Sequence, residues 1–303
     1  MSVERKKLKL AALSMLFGVV LQWGTATAHA ETGSHAGEAE AAWAAARGAA
    51  VMGPATIELR DQATLKIGKG QAFIPQPQAG RLMKAQGNGD DPDRVGLVLP
   101  TTDEEWVVDA QYVASGYIKD DDAKNWNVDD LFKSLKDSTE AANEDRRERG
   151  IAEMEIIGWA ERPHYDAAKR QLVWSMSSRS KGDAADAPHG INYNTYALGR
   201  EGYVSLDLIT DEPALAADKK AVQALLGGLE FKSGKRYADF KAGTDKVAEY
   251  GLAALVGGIA IKKLGLLAII GAFLAKSFKL VAIGVAALGV AAKKLFKRKS
   301  PAS

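Results

Sequence analysis

Cysteine is absent from the 303 residues. Without a thiol there is no disulfide, no thiolate-bound zinc, no iron–sulfur cluster and no cysteine nucleophile, whatever the compartment. Histidine is scarce at 4 residues, which leaves few imidazoles for metal or proton work. Aromatics at 7% and 9 prolines sit within a chain that is 47% hydrophobic and 26% charged. That is the composition of a globular protein with room for one sizeable core or two small ones. Several motifs are missing as well. There is no Gly-x-Ser-x-Gly elbow, no full phosphate-binding Walker pattern and no spaced calcium loop with its distal Glu. Neither a cofactor nor a metal is expected, and no reaction is named by the residues.

Charge is distributed by region. The formal net charge is +2, yet residues 31–245 hold 26 basic against 36 acidic groups, while residues 1–30 and 246–303 are basic. An acidic body argues against nucleic acid as a partner, because a phosphate backbone needs a positive surface. The basic ends have a membrane explanation. Arg5, Lys6, Lys7 and Lys9 precede an apolar run at 10–21, and Ala28-His29-Ala30 fits a small-x-small cleavage pattern. Residues 1–30 read as a signal peptide cut before Glu31. The run is short for a bilayer span of about 20 residues.

The segment 246–299 reads as a lysine-interrupted membrane anchor with a basic tail. Lys262, Lys263, Lys276, Lys279, Lys293 and Lys294 break its apolar sequence into blocks of 12 or 13 residues. One span must therefore carry some lysine, at roughly 2.5–3.5 kcal/mol each near the bilayer centre. At about 100° per residue all of these but Lys263 fall on one arc, facing a partner helix, a polar lumen or anionic lipid. A single span leaving the C-terminus in the cytoplasm is favoured over a helix lying on the membrane surface. A helical hairpin would return the cluster at 293–299 to the exported side, against the positive-inside rule.

The body between the ends reads as α+β, mainly an antiparallel sheet covered by helices. Residues 31–52 form an Ala-rich helical leader and 53–245 the exported domain. Short strands are expected at 56–60, 64–67 and 72–74, a short helix at 78–86 and a loop at 87–93. One long strand is expected at 106–118, with Trp106, Val108, Ala110 and Tyr112 on one side. A helix starts at the N-cap Asn127 and stops at Gly150. Strands follow at 152–160, 171–177, 192–198 and 203–209, with short connections that favour antiparallel pairing. Pro213 opens a helix to Leu226, and 229–232 is a final strand.

Candidate chemistry is sparse. His164, beside Pro163, and His189, between Pro188 and Gly190, are weak acid–base candidates and read first as exposed loop residues. Asp90, Asp91 and Asp93, and Asp120, Asp121 and Asp122, offer oxygen ligands without calcium-loop spacing and read as solvated loops. The turns at 68–70 and 233–236 read as hairpin turns, not phosphate cradles. Ser175, Ser177, Ser178 and Ser180 lack a nucleophile's context. Trp106, Trp159 and Trp174 read as core fillers.

The run at 192–202, Asn-Tyr-Asn-Thr-Tyr-Ala-Leu-Gly-Arg-Glu-Gly, together with Leu172-Val173-Trp174 and the run at 229–240, resembles a bacterial family of membrane-anchored proteins catalogued as domain of unknown function 2167. The resemblance extends from about Gly53 to Phe296. It implies an exported, membrane-anchored protein at the inner membrane and carries over no catalytic residue, cofactor or substrate. In outline the body is also similar to small scaffolds of the photosystem extrinsic-protein type, which serve as assembly or binding modules. A tethered binding or assembly module touching membrane lipid and another envelope protein is therefore expected. The alternative is an envelope hydrolase or ligand-processing enzyme using carboxylates with His164 or His189.

Overall fold

The computed structural model describes residues 29–257, apart from positions 87, 149 and 185. Residues 1–30, expected to be a signal peptide, lie outside the described residues except for the last two positions, and so do Lys262, Lys263, Lys276, Lys279, Lys293 and Lys294. Among the described residues no helix is long and apolar enough to cross a membrane.

The elements in chain order are α1 (His29–Ala49), β1 (Val51–Met52), β2 (Ala55–Leu59), β3 (Ala63–Ile67), β4 (Gln71–Pro75), α2 (Gln78–Ala85), β5 (Arg94–Pro100) and β6 (Val107–Val113). Then come α3 (Val128–Glu148), β7 (Met154–Asp166), β8 (Gln171–Ser180), β9 (Gly190–Leu198), β10 (Tyr203–Asp211), α4 (Leu215–Gly227), β11 (Leu229–Phe231) and α5 (Leu252–Gly257). Eight strands form one sheet in the order β1-β4-β5-β6-β10-β9-β8-β7, and β11-β3-β2 form a second. Every ladder between named strands is antiparallel. The α+β architecture built on a large antiparallel sheet is what the short connections imply.

Strand alternation sends side chains to two faces, and each face has its own cover. On one face Val98, Val108, Ala110, Val173, Val204, Leu206 and Leu208 pack against Ile57, Leu59 and Leu65 of the small sheet and Val222 and Leu225 of α4. Trp106, just before β6, and Tyr112 on it belong to this cluster, as the alternation Trp106, Val108, Ala110, Tyr112 suggests. On the opposite face two separate helical layers sit at the two ends of the sheet. Ala42 and Ala46 of α1 and Leu82 and Met83 of α2 cover Ile74, Leu97 and Leu99. Leu131 and Leu135 of α3 and Leu252 and Val256 of α5 cover Ile156, Leu172, Trp174 and Met176. The segment expected to lead into the fold is thus packed onto it.

Three local differences from the sequence reading have physical causes. Strand β5 is not anticipated, because a central strand buried on both faces shows the near-continuous apolar run Val95, Leu97, Val98, Leu99 interrupted by Gly96. That glycine serves a close approach: a Cβ there would stand 2.2 Å from Cζ of Phe73. The long strand expected to 118 ends at Val113, since Gly116 takes φ +93° and turns the chain. Strand β7 runs on to Asp166 through the turn-like Pro163, accommodated by three register shifts against β8. An edge strand tolerates both.

Helix α3 begins as its sequence requires. Asn127 Oδ1 accepts the backbone N–H of Asp129 at 2.9 Å and of Asp130 at 3.4 Å, and Gly150 at φ +66° ends the helix. Replacing Asn127 with Ala is expected to lower unfolding free energy by about 1 kcal/mol, the usual worth of such a cap. Urea denaturation of the wild-type and variant chains checks it; an unchanged midpoint would show that water replaces the cap without loss.

Candidate functional site

Two clefts lie at the turn end of the β7–β8 hairpin, one on each side of it. The first cleft, of about 520 Å3, is lined by Glu161, His164, Lys169, Tyr193, Lys219 and Gln223 among others. The second, of about 510 Å3, is lined by Asp120, Lys124, Trp126, His164, Tyr165 and Arg170 among others. His164 borders both.

In the first cleft, the Glu161 carboxylate from the edge strand is the common partner. Lys219 of α4 pairs with its Oε2, the Tyr193 hydroxyl lies 3.5 Å from Oε1, and His164 Nδ1 lies 3.6 Å from the same oxygen. The Lys219 ammonium also sits over the Tyr193 ring, 5.0 Å from its centroid. Burial opposes the charge on Lys219, yet its hydrogen bonds to Glu161 and Tyr193 outweigh that and hold its amine above the ordinary range. Burial, reinforced by Glu161, pushes the Tyr193 phenol up.

The second cleft is organised by Asp120. Its Oδ2 accepts the Tyr165 hydroxyl at 2.8 Å and Arg170 Nη1 at 2.5 Å. Burial would raise this carboxyl; the Tyr165 hydrogen bond and the Arg170 charge overcome it and hold it below the ordinary range. The Arg170 guanidinium also lies 4.7 Å from the centroid of the Tyr237 ring, which stacks on Tyr117 at 4.4 Å. A bidentate pair joins Arg200 to Asp245 at 2.7 Å for both contacts, tying the C-terminal segment to the β9–β10 turn.

The structure separates the two candidate histidines. His164 pairs across to Val173, while His189 precedes Gly190, which pairs with Ser178. Five residues of extended strand correspond to roughly 17 Å. His189 Nδ1 has its own partner, Glu212 Oε2 at 3.2 Å. Among the described residues no group of three His, Cys, Asp or Glu side chains is placed to hold a metal. The acidic runs are used internally: Asp91 Oδ1 accepts the Asp93 N–H at 2.9 Å and Asp122 caps α5.

The remaining candidates resolve in structural roles. Ser175 donates to the Asn192 carbonyl at 2.9 Å and Ser177 to that of Gly158 at 3.4 Å. Lys235 in the turn at 233–236 is held by Glu201 at 2.7 Å. The turn at 68–70 is not a hairpin, because it carries the chain from β3 in the small sheet to β4 in the large one; it is closed by the Gln71 N–H on the Gly68 carbonyl at 3.3 Å. Trp106 and Trp174 are buried, and Trp159 meets Trp174 edge-on at 6.0 Å.

One constellation was not legible in the sequence. On the face left between the two helical layers, β5, β6 and β10 place Arg94, Asp109 and Asp207 side by side, with Asp207 directly opposite Asp109. Arg94 clamps Asp109 through Nε at 2.9 and 3.1 Å and Nη2 at 2.8 Å. Ser205 donates to Asp207 Oδ2 at 2.7 Å, while Asp207 Oδ1 has no partner. Burial, with Asp109 nearby, pushes the Asp207 carboxyl up to about 7.

Fold and clefts together define an α+β protein with a large antiparallel sheet and charge-paired clefts at one end of it. The chain belongs to the protein family of unknown function DUF2167, which it matches over residues 51–289. No curated protein sequence matches the chain. Among solved structures it is similar to the cyanobacterial PsbP protein CyanoP of Synechocystis sp. PCC 6803, with 12% identity and a TM-score of 0.36, covering 60% of this chain and 91% of that one. It is also similar to the Ran-binding protein Mog1p of Saccharomyces cerevisiae, with 13% identity and a TM-score of 0.32, covering 59% of this chain and 96% of that one. Likenesses this distant leave function to be argued from the chain's own residues.

Proposed function

We propose that the chain is a binding or assembly module of the cell envelope, carried to the exported side of the inner membrane by its signal sequence and held there by the segment 246–299. The observation that carries the binding reading is the internal pairing of the cleft charges. Glu161 is taken by Lys219, and Asp120 by Arg170 and Tyr165. Paired charges of both signs around two clefts suit recognition of a polar protein surface, whose own charges can join the pairs. A reacting acid or base would instead need a free proton site aimed at substrate.

The alternative, an envelope hydrolase, has one observation in its favour, the approach of His164 to Glu161 at 3.6 Å. It predicts loss of the cellular phenotype in His164→Ala with the fold intact. The binding reading predicts that His164→Ala retains it.

Two measurements test the module. Alkaline carbonate extraction followed by protease from the exported side is expected to leave the chain in the membrane pellet, with the body digested and a C-terminal tag protected. Release by carbonate removes the anchor. A photo-reactive residue in place of Lys169, whose side chain is 69% exposed beside the first cleft, is expected to give a discrete adduct with another envelope protein. Lys219→Glu, which reverses the cleft's paired cation, should abolish it. Adduct formation indifferent to Lys219→Glu would detach the partner from the cleft.

A further inference from the structure

The chain between β6 and α3 is gripped from two sides. Facing the second cleft, Asp120 is held by Tyr165 and Arg170. Two residues on, Asp122 is turned to the C-terminal segment: its Oδ1 accepts the backbone N–H of Leu252 at 3.1 Å and its Oδ2 that of Ala253 at 3.0 Å, in the first turn of α5. Between and beyond them runs one tight 3-10 turn, Asp121–Lys124, whose Asp121, Ala123 and Lys124 line the cleft. A turn this short has no slack with which to absorb a shift at one carboxylate before it reaches the other.

The far side of this junction is close-fitted. A Cβ on Gly251 would stand 2.3 Å from Asp122 Oδ2, so any larger residue here must push the carboxylate aside. Tyr117 bridges the same segment, donating its N–H to the Lys246 carbonyl and accepting that of Ala248, each at 2.8 Å. The Tyr237 hydroxyl donates to the Ile118 carbonyl at 2.9 Å. Helix α5 is then seated by Leu252 and Val256, 0% and 1% exposed, and by Ser138 Oγ donating to the Gly257 carbonyl at 3.1 Å.

We propose that the second cleft and helix α5 form one coupled unit, with the Asp120–Asp122 stretch as its lever. A partner group that draws Arg170 or Tyr165 away from Asp120 loosens Asp122 on the first turn of α5. Displacement of α5 disturbs the cleft wall in return, since coupling between two sites is reciprocal. The biological meaning rests on the reading of 246–299 as an anchor: α5, at 252–257, lies near the beginning of that segment, so engagement of the cleft and the state of the membrane-proximal chain report on each other.

The test is amide hydrogen exchange on the full-length chain in lipid nanodiscs. Tyr165→Phe removes one hydroxyl and Arg170→Gln one charge, both more than 80 residues from α5 in sequence. Each is expected to speed exchange at the Leu252 and Ala253 amides about fivefold, the effect of weakening one hydrogen bond, with β10 unchanged. Gly251→Ala, which pushes on Asp122, should speed exchange at the Ala123 and Asn125 amides to a similar degree. Unaltered α5 exchange in both cleft variants, or an unaltered 121–125 turn in Gly251→Ala, overturns the coupling. Should Arg170→Gln accelerate β10 too, the milder Tyr165→Phe decides. Release of the chain by carbonate would remove the anchor reading and leave the exchange result standing.

Discussion

Replacing Arg94 with Leu should destabilise the domain by about 3–5 kcal/mol, the usual consequence of stranding one member of a buried ion pair. The Arg94 and Asp109 side chains are only 5% and 7% exposed. Three contacts from Nε and Nη2 satisfy the Asp109 carboxylate, which also accepts from Gln111 Nε2 at 3.1 Å. Without Arg94, that carboxylate sits buried beside Asp207 with only an amide for support. It must either take up a proton or open the strand pair. The double variant Arg94→Leu, Asp109→Leu removes both charges and should recover most of the loss, because matched apolar groups often replace a buried pair at little cost. Urea denaturation of both variants and of Asp109→Leu closes the cycle. A single variant that loses under about 1 kcal/mol would mean that water reaches the pair and carries the solvation.

Much of this fold is legible in its amino acids because periodicity and turn chemistry agree. The hairpin of β9 and β10 follows from two alternating runs about a Gly-Arg-Glu-Gly turn, and the observed ladder pairs Tyr203 with Leu198. Helix α3 follows from Asn127 and Gly150, and α4 from an apolar stripe ending at Gly227 and Gly228. The misses share a cause. A central strand such as β5 has two buried faces and loses the alternation by which strands are recognised. An edge strand such as β7 escapes the rule on proline because its outer N–H groups have no ladder to serve.

The sites were harder to read because proximity arises across the sheet and not along the chain. Glu161 and His164 lie three apart, a spacing without meaning on a strand until the register shifts near Pro163 bring their side chains within 3.6 Å. Lys219 reaches Glu161 from a helix 58 residues away. Asp109 and Asp207 each alternate with apolar neighbours and so read as solvent-facing residues of half-exposed strands. Only the strand order β6-β10 sets them opposite one another. Their shared face is then flanked by two helical layers that the local sequence of β6 and β10 does not encode.

That opposition makes stability depend on pH in a direction contrary to most carboxylates. The Asp207 carboxyl is pushed up to about 7 from 3.8 by burial and by Asp109, despite the Ser205 hydroxyl and Thr195 N–H that favour its charge. The folded chain therefore holds this proton more tightly than the unfolded chain does. Unfolded chains give it up near pH 3.8 and folded chains only near 7, so between those values the unfolded state binds fewer protons and stability falls as pH rises. The contribution is fully present below the lower value and gone above the upper. A shift of this size corresponds to about 4 kcal/mol at most, trimmed to about 2–3 kcal/mol because the rest of the side chain is partly exposed. Asp207→Asn keeps an acceptor for Ser205 and offers an N–H toward Asp109. It should flatten this part of the profile and leave the variant about 2 kcal/mol more stable than wild type at pH 8, with no advantage at pH 4. Thermal or urea unfolding at both pH values reads the difference. A variant equally or less stable at pH 8 would place the charge of Asp207 in solvent and not beside Asp109.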